Sequence, residues 1–338
     1  MDHGQKTRRI GAMIVFCFLW ILVMNHIRYP LERLLSDPEA VSLLLYLETG
    51  RDVDLTPQQT ETKPQETEPA ETTGATQPAP MGLCFTEEDA ALIQVSNFSH
   101  YTVDIPSLLS TRLQWDLTED SPKVLILHTH ATESYTQTAQ FSYTPSAPYR
   151  TLDTGYNMIR VGQALKEALE QKGITVIHDT TLHDYPSYND AYIQSRKTAQ
   201  QWLTLYPSIS LVIDLHRDAA GDSTVKQLST GTVVDNTRTA QLMLVVGSNA
   251  GGRQHPNWKT NFALAAKLHA QLEKRFPGIC RPISFRTERF NQDLSAGALL
   301  IEVGGAGDTL EEALAAVEFL AEGIWDLAFG AVTEDSTS

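Results

Sequence analysis

The sequence predicts an α/β domain, a mostly parallel central sheet flanked by helices, preceded by an N-terminal transmembrane helix and a disordered linker. Three observations predict it. Short β-rich runs alternate with helix-length periodic stretches between residues 82 and 330, the order that crossover helices impose on a parallel sheet. An apolar run at 10–27 follows Lys6, Arg8 and Arg9. Residues 51–81, by contrast, have no aromatic and almost no aliphatic side chains, so nothing there offsets the entropy of ordering the chain.

The elements follow in order. Positive charge before the apolar run, with acidic sequence beyond it, assigns residues 1–9 to the cytoplasm and the rest of the chain to the outside. The run at 10–27 is near the lower limit for a helix that crosses a bilayer. It ends in Met24, Asn25, His26 and Arg28 instead of the small residues of a cleavage site, which favours an uncleaved signal anchor over a cleaved signal peptide. Residues 28–50 form a membrane-proximal segment. Its 31–48 stretch reads as an amphipathic piece interrupted at Pro38, open between a membrane surface and a partner protein. The linker 51–81 is rich in Pro, Thr, Glu and Gln and extends at about 3 Å per residue where it is polyproline-like.

The body occupies 82–330 and a tail 331–338. Its clearest strands are 123–127, 174–177, 209–215, 240–246 and 298–303; its helices are 156–171, 190–205, 257–276 and 309–327. Gly173 is placed to cap the first helix, and Asp308 with Glu311 forms a capping-box pattern for the last. There is no internal repeat.

Composition excludes some functions. Among 338 residues, 41 acidic against 26 basic side chains leave a formal charge of −15, which repels nucleic-acid phosphates and otherwise serves solubility. Of the three cysteines, Cys17 lies in the apolar run, so at most one intrachain disulfide remains, Cys84 to Cys280. None sits in a metal-binding spacing.

Active sites of open α/β sheets collect past the carboxyl ends of strands, and three such places carry chemistry here. In VLILHTHATES a buried strand runs into His128, His130 and Glu133, side chains that suit Zn²⁺. His130 and Glu133 make an H-x-x-E spacing that recurs in zinc carboxypeptidases. His128, sharing a face with His130, is a ligand, a supporting group or a substrate contact. In LVIDLHRDA a second strand delivers His216 beside Asp214, Arg217 and Asp218. Asp214 can take the second N–H of a ligating imidazole, and Arg217 can bind a carboxylate or developing charge. In ALLIEVGGAGD a third strand carries Glu302, costly to bury without a partner; it is a general base and acid or the partner of a structural arginine. The set predicts a three-ligand metal site of His130, Glu133 and His216, with Glu302 as catalytic base. His178, His183, His255 and His269 read as surface or core histidines, and 247–258 as a loop that could wall a substrate groove.

At this point the chain resembles a known family. LILHTHATESY (125–135), GQALKEALEQKGITVIHD (162–179), YPSYNDAYIQSR (185–196), VIDLHRDA (212–219), VVGSNAGGRQHPNW (245–258) and RFNQDLSAGALLIEVGGAGDTLEEA (289–313) are similar to the stage II sporulation protein P family of endospore formers. The anchor and tether match its layout. The resemblance implies a zinc amidase-like fold and N-acetylmuramoyl-L-alanine amidase activity with one Zn²⁺ per chain. It also implies peptide cleavage on peptidoglycan stem peptides and a complex with stage II sporulation proteins D and M during engulfment. The location implied is the forespore septum or engulfing membrane, with the catalytic domain outside. In related amidases the zinc histidines and catalytic glutamate occupy positions that correspond to His130, His216 and Glu302. Those enzymes take a carboxylate ligand from the start of the helix after the first strand, where this chain has Tyr156 and Asn157; Glu133 stands in for it, and His128 is the alternative to Glu133 or His130. Two rival functions stand beside the amidase: a zinc peptidase on stem peptides, and a non-catalytic wall-binding module, against which the retention of all three clusters argues.

Overall fold

A computed structural model describes residues 83–113, 117, 121–219, 227 and 229–330. The expected anchor, membrane-proximal segment, linker and C-terminal tail lie outside the described residues. No helix among those described is long and apolar enough to cross a membrane.

The body is built on a seven-stranded sheet. In chain order its elements are α1 (Glu87–Ala91), β1 (Val95–Asn97), α2 (Ile105–Ser110), β2 (Val124–Leu127), α3 (Met158–Gln171), β3 (Val176–His178) and α4 (Ala191–Leu205). Then come β4 (Leu211–Asp218), β5 (Thr232–Val234), β6 (Thr237–Thr239), β7 (Leu242–Val246), α5 (Trp258–Arg275), β8 (Ile283–Phe285), β9 (Ala298–Gly305) and α6 (Leu310–Phe329). The sheet order is β1-β8-β7-β9-β4-β2-β3, with β5 and β6 forming a separate hairpin. All neighbours in the large sheet are parallel except β7 and β9.

Burial on both faces explains the continuous apolar runs of β2 and β4. Side chains alternate across the sheet. Val124, Ile126, Ile213, Leu215, Ile301 and Val303 belong to the larger core cluster with residues of α3, α5 and α6. Leu125, Leu127 and Val212 join Ala199 and Trp202 of α4 on the other face. By the same alternation Asp214, His216 and Glu302 point to the α4 side, and β4 and β9 pair so that His216 faces Glu302 directly across the ladder.

Two expectations are corrected. First, β4 continues to Asp218 instead of ending at 215, because β9 runs on to Gly305 and pairs with it through a register shift between His216 and Asp218. Second, the last helix is capped one residue later, by Thr309 with Glu312 in a capping box. Asp308 is occupied elsewhere, its carboxylate accepting from Ser229, Thr230 and Gly305. Cys84 and Cys280 are free thiols, within the upper bound of one disulfide. Gly173, at φ +83°, does close α3, with the amide of Ile174 donating to Leu169 O at 3.1 Å.

Candidate functional site

The site lies at the carboxyl ends of β2, β4 and β9, on the α4 side. Strand β2 ends at Leu127 and the chain turns at once, so His128 and His130 part company. His128 keeps the strand's alternation and points to the α3 side. One ring nitrogen, Nδ1, lies 2.9 Å from Leu215 O, and Nε2 lies 2.9 Å from His178 Nε2. With Nδ1–H donating to the carbonyl, Nε2 is left to accept from the neighbouring imidazole, so both nitrogens serve the fold. Burial, reinforced by His178, lowers the His128 pKa to about 3. The expectation that it shares a face with His130 and competes for a metal is corrected: the turn separates them.

The turn instead brings His130, Glu133 and His216 together. The rings of His130 and His216 meet edge to face, centroids 5.3 Å apart. His216 Nδ1 is 3.6 Å from Glu133 Oε2. His216 Nε2 forms an ion pair with Asp214 Oδ1 at 2.9 Å. Asp214 is itself held by the backbone N–H of Thr129 at 2.7 Å and its hydroxyl at 2.6 Å. His130 Nδ1 and Glu302 Oε2 are buried without partners.

The electrostatics separate the two glutamates. Burial pushes Glu302 up to about 8, partly opposed by His216 and furthered by Glu133 and Asp218. Burial acts on Glu133 in the same direction, but Arg217, His216 and His130 outweigh it and hold that carboxyl well below its ordinary range. For His216 burial disfavours the charge, yet Asp214 and Glu133 win and raise it. His130 is lowered to about 4, chiefly by burial. Two carboxyl groups driven apart in this way are the arrangement that divides an anionic role from a proton-carrying one.

Arginines complete the surroundings. Arg217 donates from Nε to Ser134 O and from Nη2 to Tyr149 O, both at 3.0 Å, with Nη1 3.7 Å from Glu133 Oε1. It therefore braces Glu133 and the loop after it, while Nη1 is left without a hydrogen-bond partner. Asp218 pairs with Arg281 at 2.7 Å. Sequence reasoning missed Arg150, which bonds Glu133 at 3.1 Å and Asp184 at 2.6 Å. It also missed Tyr188, stacked on His130 at 4.5 Å, and Tyr192, edge-on to it at 5.6 Å. The tyrosine-rich YPSYNDAY stretch was the available signal for the last two; nothing local marked Arg150. His183 and His255, expected in loops, and His269, on α5, are all buried.

Among the described residues no three His, Cys, Asp or Glu side chains converge as a finished metal cage, and Glu133 is engaged by Arg150. The donors still fit a borderline cation in kind, two imidazoles and a carboxylate. A buried polar atom left unpaired costs about 1–3 kcal/mol, and His130 Nδ1 and Glu302 Oε2 are both left so. A cation there would also supply the positive charge that Asp214 and Glu133 now draw onto His216.

Comparisons with known proteins give the family. The sequence model for Stage II sporulation protein P matches residues 42–325. Stage II sporulation protein P of Bacillus subtilis (strain 168) is 29% identical over 224 residues, 62% of this chain and 53% of the relative. The chain thus spans about half the length of the curated relative it matches. Among solved structures, N-acetylmuramoyl-L-alanine amidase AmiC2 of Nostoc punctiforme is 14% identical with a TM-score of 0.35, over 61% of this chain and 94% of that one. The CwlD amidase from Clostridioides difficile, solved with the GerS lipoprotein, is 13% identical with a TM-score of 0.37, over 60% of this chain and 94% of that one.

Proposed function

The chain belongs to the stage II sporulation protein P family, and from that premise we propose that it is a membrane-anchored, zinc-dependent peptidoglycan hydrolase. The bond assigned to it is the amide between the lactyl group of N-acetylmuramic acid and L-alanine. The observation that carries the reading is the gathering of His130, Glu133 and His216 at one end of the sheet, with Glu302 opposite His216 and buried atoms of His130 and Glu302 left without partners.

His130, Glu133 and His216 would hold the zinc ion. When bound, zinc supplies a Lewis acid for the amide carbonyl and a lowered pKa for water. Asp214 keeps His216 in place through its own bonds to Thr129. Glu302, opposite His216 across the ladder, takes the proton of the attacking water and gives it to the departing nitrogen. A C–O bond forms and the C–N bond breaks, leaving a lactyl carboxylate and a free α-amino group on L-alanine. Cleavage of stem peptides, a place in engulfment at the forespore septum or engulfing membrane, and a complex with stage II sporulation proteins D and M belong to the same proposal. The catalytic domain is proposed to lie outside the membrane, with residues 10–27 as its anchor.

The test is metal content and turnover on purified peptidoglycan for wild type, His216→Ala and Glu302→Gln. The proposal expects about one zinc per chain in wild type and in Glu302→Gln, with metal lost in His216→Ala and turnover lost in both variants. New N-terminal L-alanine on intact stem peptides identifies the amidase; cleavage inside the peptide without it identifies a peptidase. Cleavage by metal-free wild type would refute the zinc mechanism.

A further inference from the structure

Glu133 presents its two oxygens to different surroundings. Oε1 faces guanidinium nitrogens, Arg150 Nη2 at 3.1 Å and Arg217 Nη1 at 3.7 Å. Oε2 is turned the other way, 3.6 Å from His216 Nδ1, with the Arg217 amide donating to it at 3.4 Å. A carboxylate accepts through either oxygen, so the one that faces the histidines is decided by what holds the other. Arg150 is the one hydrogen-bond donor to Oε1 among the described residues.

That donor is anchored deeper in the fold. Arg150 Nη1 lies 2.6 Å from Oδ2 of Asp184, whose side chain is fully buried. Asp184 is pinned in turn by the hydroxyl of Thr132 at 2.5 Å and its amide at 3.2 Å. The planar guanidinium fork thus spans two carboxylates, one anchored and one at the site. The backbone supports the same arrangement. Residues 133 and 150 form an antiparallel bridge, flanked by Ser134 N donating to Tyr149 O and Thr151 N donating to Thr132 O, both at 2.9 Å. Tyr149 adopts φ +53° beside it, a conformation that a residue with a Cβ keeps only where its surroundings over-determine it. Tyr188 links the guanidinium to a second site residue. Its ring centroid is 4.8 Å from Arg150 Cζ, and it stacks on His130 at 4.5 Å with 18° between the planes.

We propose that Arg150, anchored on Asp184, is the positioning residue of the metal site: it holds Oε1 of Glu133 so that Oε2 is the oxygen offered beside His216, and it steadies the His130 ring through Tyr188. The inference rests on the zinc reading and adds the residue that prepares the donors for the ion. A guanidinium next to a ligand carboxylate has two effects of opposite sign. Its charge repels a second cation, so removing it would tighten zinc if charge prevailed. Its fork fixes the ligand, so removing it loosens zinc if positioning prevails. Here the charge of Arg150 is met by two carboxylates, Asp184 and Glu133, which blunts the repulsion. No second donor among the described residues replaces its bond to Oε1. The geometry therefore favours positioning.

The experiment measures the zinc affinity of the full chain by competition with a chromophoric chelator, together with turnover on purified peptidoglycan. The proteins compared are wild type, Arg150→Lys, Arg150→Gln and Asp184→Asn. Zinc affinity should fall about ten- to hundredfold in all three variants, the range for an outer partner of a metal ligand. Arg150→Lys is the decisive one, because it keeps the charge and an ion pair but loses the fork; it decides the matter even where the other two fail to fold. The visible absorption bands of bound Co²⁺ should also differ between wild type and Arg150→Lys, a signature that a purely structural role for Arg150 would leave unmoved. Unchanged zinc affinity and Co²⁺ bands in Arg150→Lys, or tighter zinc in Arg150→Gln, overturn the positioning role. If wild type still cleaves in that case, the hydrolase reading survives. Weakened zinc in the variants of a wild type that does not cleave sinks the hydrolase and keeps the positioning role. A wild type that binds no zinc overturns both.

Discussion

Replacing Glu302 by Gln is expected to flatten the alkaline fall in stability of the metal-free protein. Burial holds this carboxyl at about 8 against an ordinary value of 4.5. Between those pH values the folded chain keeps a proton that the unfolded chain has released. The sign follows from linkage: the stabilisation is complete below 4.5, declines as pH rises, and is gone above about 8. At about 1.4 kcal/mol per pH unit the interval amounts to a loss on the order of 5 kcal/mol, an upper figure because water entering the site softens it. Glutamine keeps the shape of the neutral carboxyl and cannot ionise. His216, also raised, loses stabilisation in the same direction and is present in both proteins, so the difference reports Glu302 together with its coupling to His216. Urea unfolding with a chelator at pH 5, 7 and 9, followed by tryptophan fluorescence, measures the effect. Wild type and variant should be similar at pH 5 and differ by several kcal/mol at pH 9, with the variant more stable. Parallel stability curves for the two proteins would refute the argument.

Three further outcomes are expected. Gly162→Ala places a methyl 2.5 Å from His128 Nε2 and 2.6 Å from His178 Nε2, so it should cost about 1–3 kcal/mol and broaden the imidazole resonances of both histidines by NMR. Asp308→Ala strips the acceptor from the amides of Thr230 and Gly305; a loss of about 2–4 kcal/mol should come with faster hydrogen exchange at those amides, and unchanged exchange there would contradict the assigned role. Arg217→Met leaves Glu133 with Arg150 as its remaining guanidinium partner. Removing one partner of a buried ion pair costs about 3–5 kcal/mol, and the melting temperature should fall accordingly, with zinc affinity reduced as well.

Legibility in the sequence followed length and periodicity. β2, β4, β7, β9 and α3 to α6 could be read because each carries a sustained apolar pattern, closed in α3 by Gly173. β1, β8 and the β5–β6 hairpin have three residues per strand, too few for alternation to register. The hairpin's turn is made by Asp235 and Asn236, both at positive φ. In the site, the residues on strand ends were visible because a polar side chain on an apolar strand stands out. Arg150, Asp184 and Tyr188 come from loops whose approach to Glu133 and His130 depends on tertiary closure, which no local pattern encodes. His128 was misplaced because alternation alone cannot say at which residue a strand stops and a turn takes over. The same holds for Asp308, whose fit to a capping box concealed its use by Ser229 and Thr230.

The register of β4 against β9, with His216 opposite Glu302, has a consequence for how such a protein can change. The backbone separation of imidazole and carboxylate is inherited from the spacing between hydrogen-bonded strands, roughly 4.8 Å in any sheet, and no loop has to be tuned to preserve it. The loops at that edge, including the one that carries Tyr185 and Tyr188, are then free to be lengthened, shortened or recoloured by mutation while His216 and Glu302 keep their span. Substrate range can drift in a lineage without the chemistry being reinvented, because the measuring rod belongs to the sheet and the selectivity belongs to what is hung from its rim.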